Sequence, residues 1–483
     1  MDSTIGRTIR GGFGFLTADI LTRGLGFGFT VLAGWLLGPE EFGVLALGLS
    51  VMGIARQFAV FGFPTTAQRF LSGSVPDEGR RIYGAILVLG ALGASLTAGL
   101  FFLSTSHIAS FFQESRLVPV LNVLTLAVIS GSAVFLLRGT LQAQEKVQQI
   151  VVVDALQGAA KVGVLIPLAI WFQRAEDAAW AVVCAFTIAA MMAGKYVWNL
   201  DLRPDFRAFA QSARKALTYS APLVVAGLGY LLAEQTDRLM LGWLSTSAAV
   251  GVYAVTAKLA MVMGTLHGAL VSIFKPIASE AYREGAIDQM RDAYRFVSKW
   301  VGATNGIALL AFAGVGPWLL QVLGSEYATS ESYTVLVILA SLYFIGTWVG
   351  PTGALLQMAD GHRVELVNTI VFVVVNTALN YLLITEFGLV GAAAATLISG
   401  VLRNALQIIQ IAYWHDITPF ARPNLIVLGI SVSAVVLTLL ASSAVLRLAF
   451  AVVGALSIGG FVLWTATDEE RATVRGLISR RSG

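Results

Sequence analysis

Residues 29–51 read FTVLAGWLLGPEEFGVLALGLSV, and residues 237–259 read DRLMLGWLSTSAAVGVYAVTAKL. Each stretch is an apolar run, a short break and a second apolar run. Ala33-Gly34-Trp35-Leu36 closes the first run and Phe42-Gly43-Val44 opens the next. Leu241-Gly242-Trp243-Leu244 and Val250-Gly251-Val252 do the same further along. Gly34 is as far from Gly242 as Gly43 is from Gly251. A helical hairpin that recurs in register predicts two bundles of like orientation, a common plan for transporters.

Working outward, the whole chain has this character. Hydrophobic residues make up 57% of it and charged residues only 12%, with mean hydropathy +0.77. Soluble domains carry about 25% charge, so this chain lacks the polar shell that water requires. Apolar runs of about 20 residues span a bilayer. Such runs fall at 11–37, 41–64, 81–104, 118–143, 148–173, 177–199, 217–243, 247–274, 296–323, 333–357, 364–386, 389–415, 422–445 and 447–467. The expected fold is an all-α membrane protein of about fourteen transmembrane helices. Residues 1–199 form an N-lobe of six helices and residues 217–415 a C-lobe of six. Residues 200–216 form a cytoplasmic amphipathic linker, 416–467 hold two further helices, and 468–483 are a basic tail.

Basic residues orient this scheme. With the N-terminus in the cytoplasm, the outer connections hold only Arg116, Arg174 and Arg447, and all other loop Arg and Lys residues fall inside. That is the positive-inside pattern of a multi-pass cytoplasmic-membrane protein, with both termini cytoplasmic. The segments 200–216 and 275–295 are amphipathic, and each is expected to lie as an interfacial helix. The first apolar run follows Arg7 and Arg10 directly and has spanning length, so it reads as a span rather than a cleavable leader.

Several chemistries are excluded. Cys184 is the only cysteine, and the four histidines are scattered without a zinc-binding spacing. No nucleotide-binding glycine loop occurs, so no ATPase is expected and no cofactor. The net charge of +4 reflects cytoplasmic loops rather than nucleic-acid binding. No connection is long enough to fold as a catalytic domain, which argues against a membrane glycosyltransferase.

What remains is charge within the spans. A charge at a helix centre costs about 2.5–3.5 kcal/mol on insertion scales, so it faces a wet cavity or a partner. Arg23, Arg56, Lys161, Lys258 and Arg403 all lie inside spans. Asp19 precedes Arg23 by one turn and can pair with it, as Glu234 can with Arg238. Arg138 is near a helix end and can snorkel. Gln57, Asp237, Asn376, Asn380 and Asn404 complete a polar cavity or gate, and His267 reads as a hydrogen-bonded structural residue. Asn376 and Asn380 share a helix face that suits sugar hydroxyls or interhelical hydrogen bonds equally. Buried bases outnumber the buried acids Asp19, Glu234 and Asp237, and surplus positive charge in a cleft attracts anions. Arginine holds phosphate with paired donors.

Three further segments carry a resemblance. Leu37-Gly38-Pro39-Glu40-Glu41-Phe42-Gly43, Thr236-Asp237-Arg238-Leu239-Met240-Leu241-Gly242 with Val250-Gly251-Val252-Tyr253-Ala254-Val255-Thr256-Ala257-Lys258, and Asn376 to Tyr381 with Phe387 to Ala393 resemble polysaccharide flippases. These are the O-antigen (Wzx-like) group of the multidrug/oligosaccharidyl-lipid/polysaccharide exporter superfamily, and the likeness runs over about residues 5 to 470. The resemblance implies a MATE-like pair of lobes and alternating access. It implies translocation of a polyprenyl-(pyro)phosphate-linked oligosaccharide for surface glycan assembly. Membrane lipids and glycan-assembly enzymes are the implied partners, and an Na+ or H+ gradient is one available energy source. A cation-coupled multidrug antiporter and a flippase for the peptidoglycan lipid precursor are the alternatives within the same superfamily.

Overall fold

The computed structural model describes the backbone of residues 2–72, 77–200, 202–358 and 361–466; the side chains of 2–23, 266, 269, 270, 272, 273, 276, 277 and 362 fall outside the description. Among the described residues the regular structure is entirely helical: α1 (Asp2–Val60), α2 (Phe63–Leu71), α3 (Asp77–Phe111), α4 (Leu117–Ala143), α5 (Val147–Trp171), α6 (Ala175–Trp198), α7 (Phe209–Leu244), α8 (Ser247–Met261), α9 (Met263–Arg283), α10 (Ile287–Leu323), α11 (Ser330–Trp348), α12 (Thr352–Met358), α13 (His362–His415), α14 (Arg422–Leu440) and α15 (Ala444–Trp464).

Twelve of the described helical stretches are long and apolar enough to cross a membrane. Two of them are broken by glycine, α1 at Gly38 (φ 72°, ψ 171°) and α13 at Gly388 (φ 54°, ψ −129°). Positive φ costs glycine nothing, whereas any other residue would be strained there. Counting each broken helix as two gives the fourteen spans expected. Leu92, Leu96, Leu100 and Leu103 of α3, with Val436, Leu440, Val453 and Leu456 of α14 and α15, are exposed. So many large aliphatic side chains belong against hydrocarbon, not water. Trp171, Trp198 and Trp464 are exposed at the last positions of α5, α6 and α15, where an indole sits well at the headgroup level.

The helices cluster into two compact units. Residues Met1–Lys258 with Thr377–Ala392 form the first, and Leu259–Asn376 with Ala393–Gly483 the second. By packing, α7 and the first part of α8 lie with the first six spans. Gln57 of α1 lies over Gly227 of α7, and Ser50 of α1 donates to Gln235 of α7 at 2.9 Å. Neither amphipathic segment forms a separate interfacial helix. Residues 209–216 are the first turns of α7. Residues 275–295 are the ends of α9 and α10, joined by a tight turn in which Gly285 has φ 70°. Alanine, glutamine, lysine and arginine extend a helix readily, so the spans run on past the apolar stretch.

In the first unit the recurring hairpin meets itself. A Cβ on Gly43 would lie 1.7 Å from the Ser247 carbonyl oxygen, and one on Gly251 2.0 Å from that of Pro39. Pro39 and Ser247 occupy equivalent positions in the two repeats, as do Gly43 and Gly251. The crossing is thus reciprocal, the mark of a local twofold relation. Only hydrogen side chains allow this approach, which explains why both copies keep glycine there.

The second unit has its own core, in which Phe274, Met290, Tyr294, Val301, Leu355 and Ile411 are buried together. Within it the two arms of α13 lie side by side, bonded in rows. Glu365 takes an ion pair from Arg403 and a hydrogen bond from Gln407 at 2.7 Å. Asn368 and Gln410 exchange two hydrogen bonds at 2.7 and 2.9 Å. Asn376 donates to Thr396 at 3.3 Å and Ser399 at 3.2 Å. Side-chain hydrogen bonds of this kind hold helices together where water is absent.

Candidate functional site

The first unit carries three basic side chains in one neighbourhood. Gly158 of α5 lets Leu25 of α1 come close (a Cβ there would meet Leu25 Cβ at 2.6 Å). One turn further along both helices, Lys161 Nζ lies 3.7 Å from the centre of the Phe29 ring. Arg56 of α1 is placed by a second glycine: Gly131 of α4 leaves room for its Cδ, 3.3 Å from where a Cβ would sit. Its guanidinium then lies 4.4 Å from the centre of Phe135 and 5.6 Å from that of Phe186. Arg56 and Lys258 of α8 lie near enough to Lys161 to repel its charge.

Aromatic faces attract cations, by up to about 2 kcal/mol where water is excluded. They hold Arg56 and Lys161 in place without cancelling their charge. Among the described residues no carboxylate lies within ion-pair distance of either. The nearby acids are occupied elsewhere. Asp154 of α5, almost wholly buried, pairs with Arg138 of α4 at 2.8 Å. Asp237 of α7 accepts from the Tyr253 hydroxyl at 2.5 Å and from Asn380 at 2.8 Å, and all three are buried. Among the described residues, Arg56 and Lys161 are therefore left without a carboxylate partner. Such a site suits an anion with several acceptor oxygens, above all a phosphate.

The other expected site residues divide plainly. Arg403 does not add to the surplus, because Glu365 neutralises it. Glu365 stands in the first turn of α13, where it reads as a helix-end residue. Glu234 is exposed and forms no pair with Arg238, whose Nη1 donates instead to Gln235 at 3.0 Å. Arg238 Nε is buried without a hydrogen bond. Gln57 lies over Gly227 and Asn404 beside Gly346. Asn376 bonds the arms of α13, and Asn380 holds Asp237. His267 Nδ1 is buried without a hydrogen bond to the described residues. Arg138 does not snorkel but meets Asp154. Asp19 and the Asp19–Arg23 pair lie outside the described side chains, as does Arg23. Sequence reading missed Phe29, Phe135 and Phe186, whose apolar surroundings hide them, and Asp154, an acid within an apolar run that was legible.

Comparison with known proteins agrees with this architecture. The family model described as "Polysaccharide biosynthesis protein" matches residues 8–281. The probable low-salt glycan biosynthesis flippase Agl15 of Haloferax volcanii is 24% identical over 401 residues, covering 81% of this chain and 80% of the relative. Stage V sporulation protein B of Bacillus subtilis is 20% identical over 431 residues, 83% of this chain and 82% of its own. Among solved structures, the lipid II flippase MurJ in an inward closed conformation superposes with a TM-score of 0.70 at 12% identity, covering 92% of this chain and 97% of that one. An inward-facing MATE-family multidrug transporter gives 0.65 at 16% identity, over 80% and 93%.

Proposed function

The chain belongs to the polysaccharide biosynthesis protein family, and from that footing we propose that it flips a lipid-linked oligosaccharide across the cytoplasmic membrane. The observation that carries this reading is the pair Arg56 and Lys161, each held on aromatic rings with no carboxylate among the described residues within ion-pair distance. A sugar joined to a polyprenyl tail through phosphate or pyrophosphate presents a compact anion between two neutral parts. The basic compartment takes the phosphate, the sugar follows it into the polar interior, and the tail stays in lipid. A binder of cationic drugs would need charge of the opposite sign.

In this reading the termini are cytoplasmic, the protein performs no bond-making chemistry, and enzymes of glycan assembly supply the substrate and consume the product. We assign the driving force to an Na+ or H+ gradient; flipping that persists with both gradients collapsed refutes that assignment alone.

The test is reconstitution into vesicles with a fluorescent polyprenyl-diphosphate oligosaccharide. Wild type is expected to move it to the opposite leaflet, and Arg56→Ala with Lys161→Ala to slow this at least tenfold, about 1.4 kcal/mol or more of lost stabilisation. An unchanged rate in the double variant removes the basic compartment from the mechanism. Transport of a cationic drug with no movement of the glycolipid replaces the flippase reading with an antiporter.

A further inference from the structure

One polar cluster in the first unit plays no part in the compartment above. Arg116, in the connection between α3 and α4, forms a fork on Glu114: Nε reaches Oε1 at 3.0 Å and Nη2 reaches Oε2 at 2.9 Å. Its Nη1 also meets Glu40 at 3.2 Å and Glu41 at 3.1 Å, beside the Gly38 break of α1. Glu41 accepts in turn from the backbone N–H of Ala175 at 2.7 Å, at the start of α6. Glu114 accepts from the Ser247 hydroxyl at 2.6 Å, at the start of α8. One arginine and two glutamates thus tie together four connections of the unit. Three come from the first repeat and the fourth, through Ser247, from the second.

The Ser247 bond falls at the reciprocal glycine crossing, since the Ser247 carbonyl is the atom against which Gly43 packs. Polar network and backbone crossing close the same end of the unit. By the distribution of basic residues this is the outer end. We propose that the Arg116 cluster is an outer lock, which holds the exit side of the transport path shut and is broken and remade in each cycle. The inference rests on the proposed flippase function working by the alternating access that the resemblance implies, and is independent of the substrate.

The energetics suit a lock that must open. Arg116 is 43% exposed and Glu40 70% exposed, so single ion pairs here contribute at most about 1 kcal/mol each. The forked Glu114 bond and the shared network raise this to an amount that rocking of the helices can overcome. The cluster also carries three carboxylates to one guanidinium. A phosphorylated head group that has left meets net negative charge at the mouth, which disfavours its return.

Site-directed labelling tests the lock without any substrate. In a Cys184→Ser background, Ser50→Cys places a reporter at a side chain that is 2% exposed, further along α1 from Gly43. A membrane-impermeant maleimide is applied from the outer side. Arg116→Glu is expected to raise the labelling rate at least tenfold, and Arg116→Lys, which keeps the charge but loses the fork, to give an intermediate rate. Arg116→Gln carries the same prediction should the charge reversal fail to fold, and Ser247→Ala is expected to raise the rate more modestly. Labelling of Arg116→Glu and Arg116→Gln at the wild-type rate overturns the lock, whatever the vesicle assay shows for the glycolipid.

Acidity provides a second check. The Arg116 guanidinium, with the Ser247 hydroxyl assisting, holds the Glu114 carboxyl below its ordinary value of 4.5. A depressed carboxylate keeps its contribution above the ordinary value and loses it only as pH falls through the lowered one. Arg116 meets Glu114 directly, Glu40 and Glu41 share the same guanidinium, and Arg174 before α6 with Glu176 and Asp177 in its first turn flank Ala175. The labelling rate of wild type, divided at each pH by that of a fully exposed reporter cysteine so that thiolate titration cancels, is therefore expected to stay flat between about pH 8 and about pH 5. A rise within that window contradicts the Glu114–Arg116 pair as the element that holds the exit.

Discussion

Replacing Glu365 with leucine will destabilise the protein by about 3 kcal/mol, and adding Arg403→Met will restore most of that loss. Glu365 is buried against both Arg403 and Gln407, and Gln407 also accepts from Thr352 at 2.7 Å. Removing the carboxylate strands a guanidinium among apolar helices. Breaking a buried pair on one side costs about 3–5 kcal/mol, and the lower end applies because a third of the Arg403 side chain remains accessible. Removing both charges leaves an apolar contact of similar volume, which such sites tolerate. The measurement is unfolding in mixed micelles of both single variants and the double variant, read as a coupling energy. A double variant no better than Glu365→Leu alone refutes the pair as the bond that holds the arms of α13 together.

Gly43→Ala and Gly251→Ala will each cost about 3 kcal/mol or more, the upper end of what overpacking does to a rigid contact. At both positions the added carbon lies within 2.0 Å of a backbone carbonyl oxygen. A flexible side chain could turn aside from that clash, but a helix backbone must shift as a whole. Gly429 and Gly459 are the controls, since a Cβ at either meets nothing within 4 Å. Alanine at those positions will be neutral or stabilise by up to about 1 kcal/mol, the ordinary gain over glycine in a helix. Equal melting temperatures for Gly251→Ala and Gly459→Ala contradict the crossing.

The repeat that sequence alone reveals is this same crossing. Gly34 with Gly242 and Gly43 with Gly251, at a common offset, marked the repeat; that Gly43 and Gly251 touch the opposing backbone is visible only in three dimensions. The fourteen spans were equally legible: twenty apolar residues in a row have one stable environment. The ends of the spans were not, because residues 209–216 and 275–295 are polar yet good helix formers, and hydropathy is silent about such turns. The partition into units was also hidden, as it depends on which faces of α7 and α8 find neighbours.

For the site, sequence placed Arg56 and Lys161 inside spans but could not say what they touch. Pairing is a matter of three dimensions. Arg403 meets an acid 38 residues away in the chain, whereas Arg238 fails to meet Glu234 one turn away. The local rule of acid and base four residues apart contributes only about 0.2–0.5 kcal/mol, too little to set a side chain against its surroundings. The aromatic rings that hold Arg56 and Lys161 come from α1, α4 and α6, and no spacing in the chain announces them.

The surplus of positive charge is most directly tested by equilibrium binding of polyprenyl diphosphate to the purified protein in micelles. Wild type should bind it, more weakly as salt rises, and Arg56→Gln with Lys161→Gln should raise the Kd at least tenfold. Equal affinity in the two proteins, or binding indifferent to both substitutions and salt, contradicts the account.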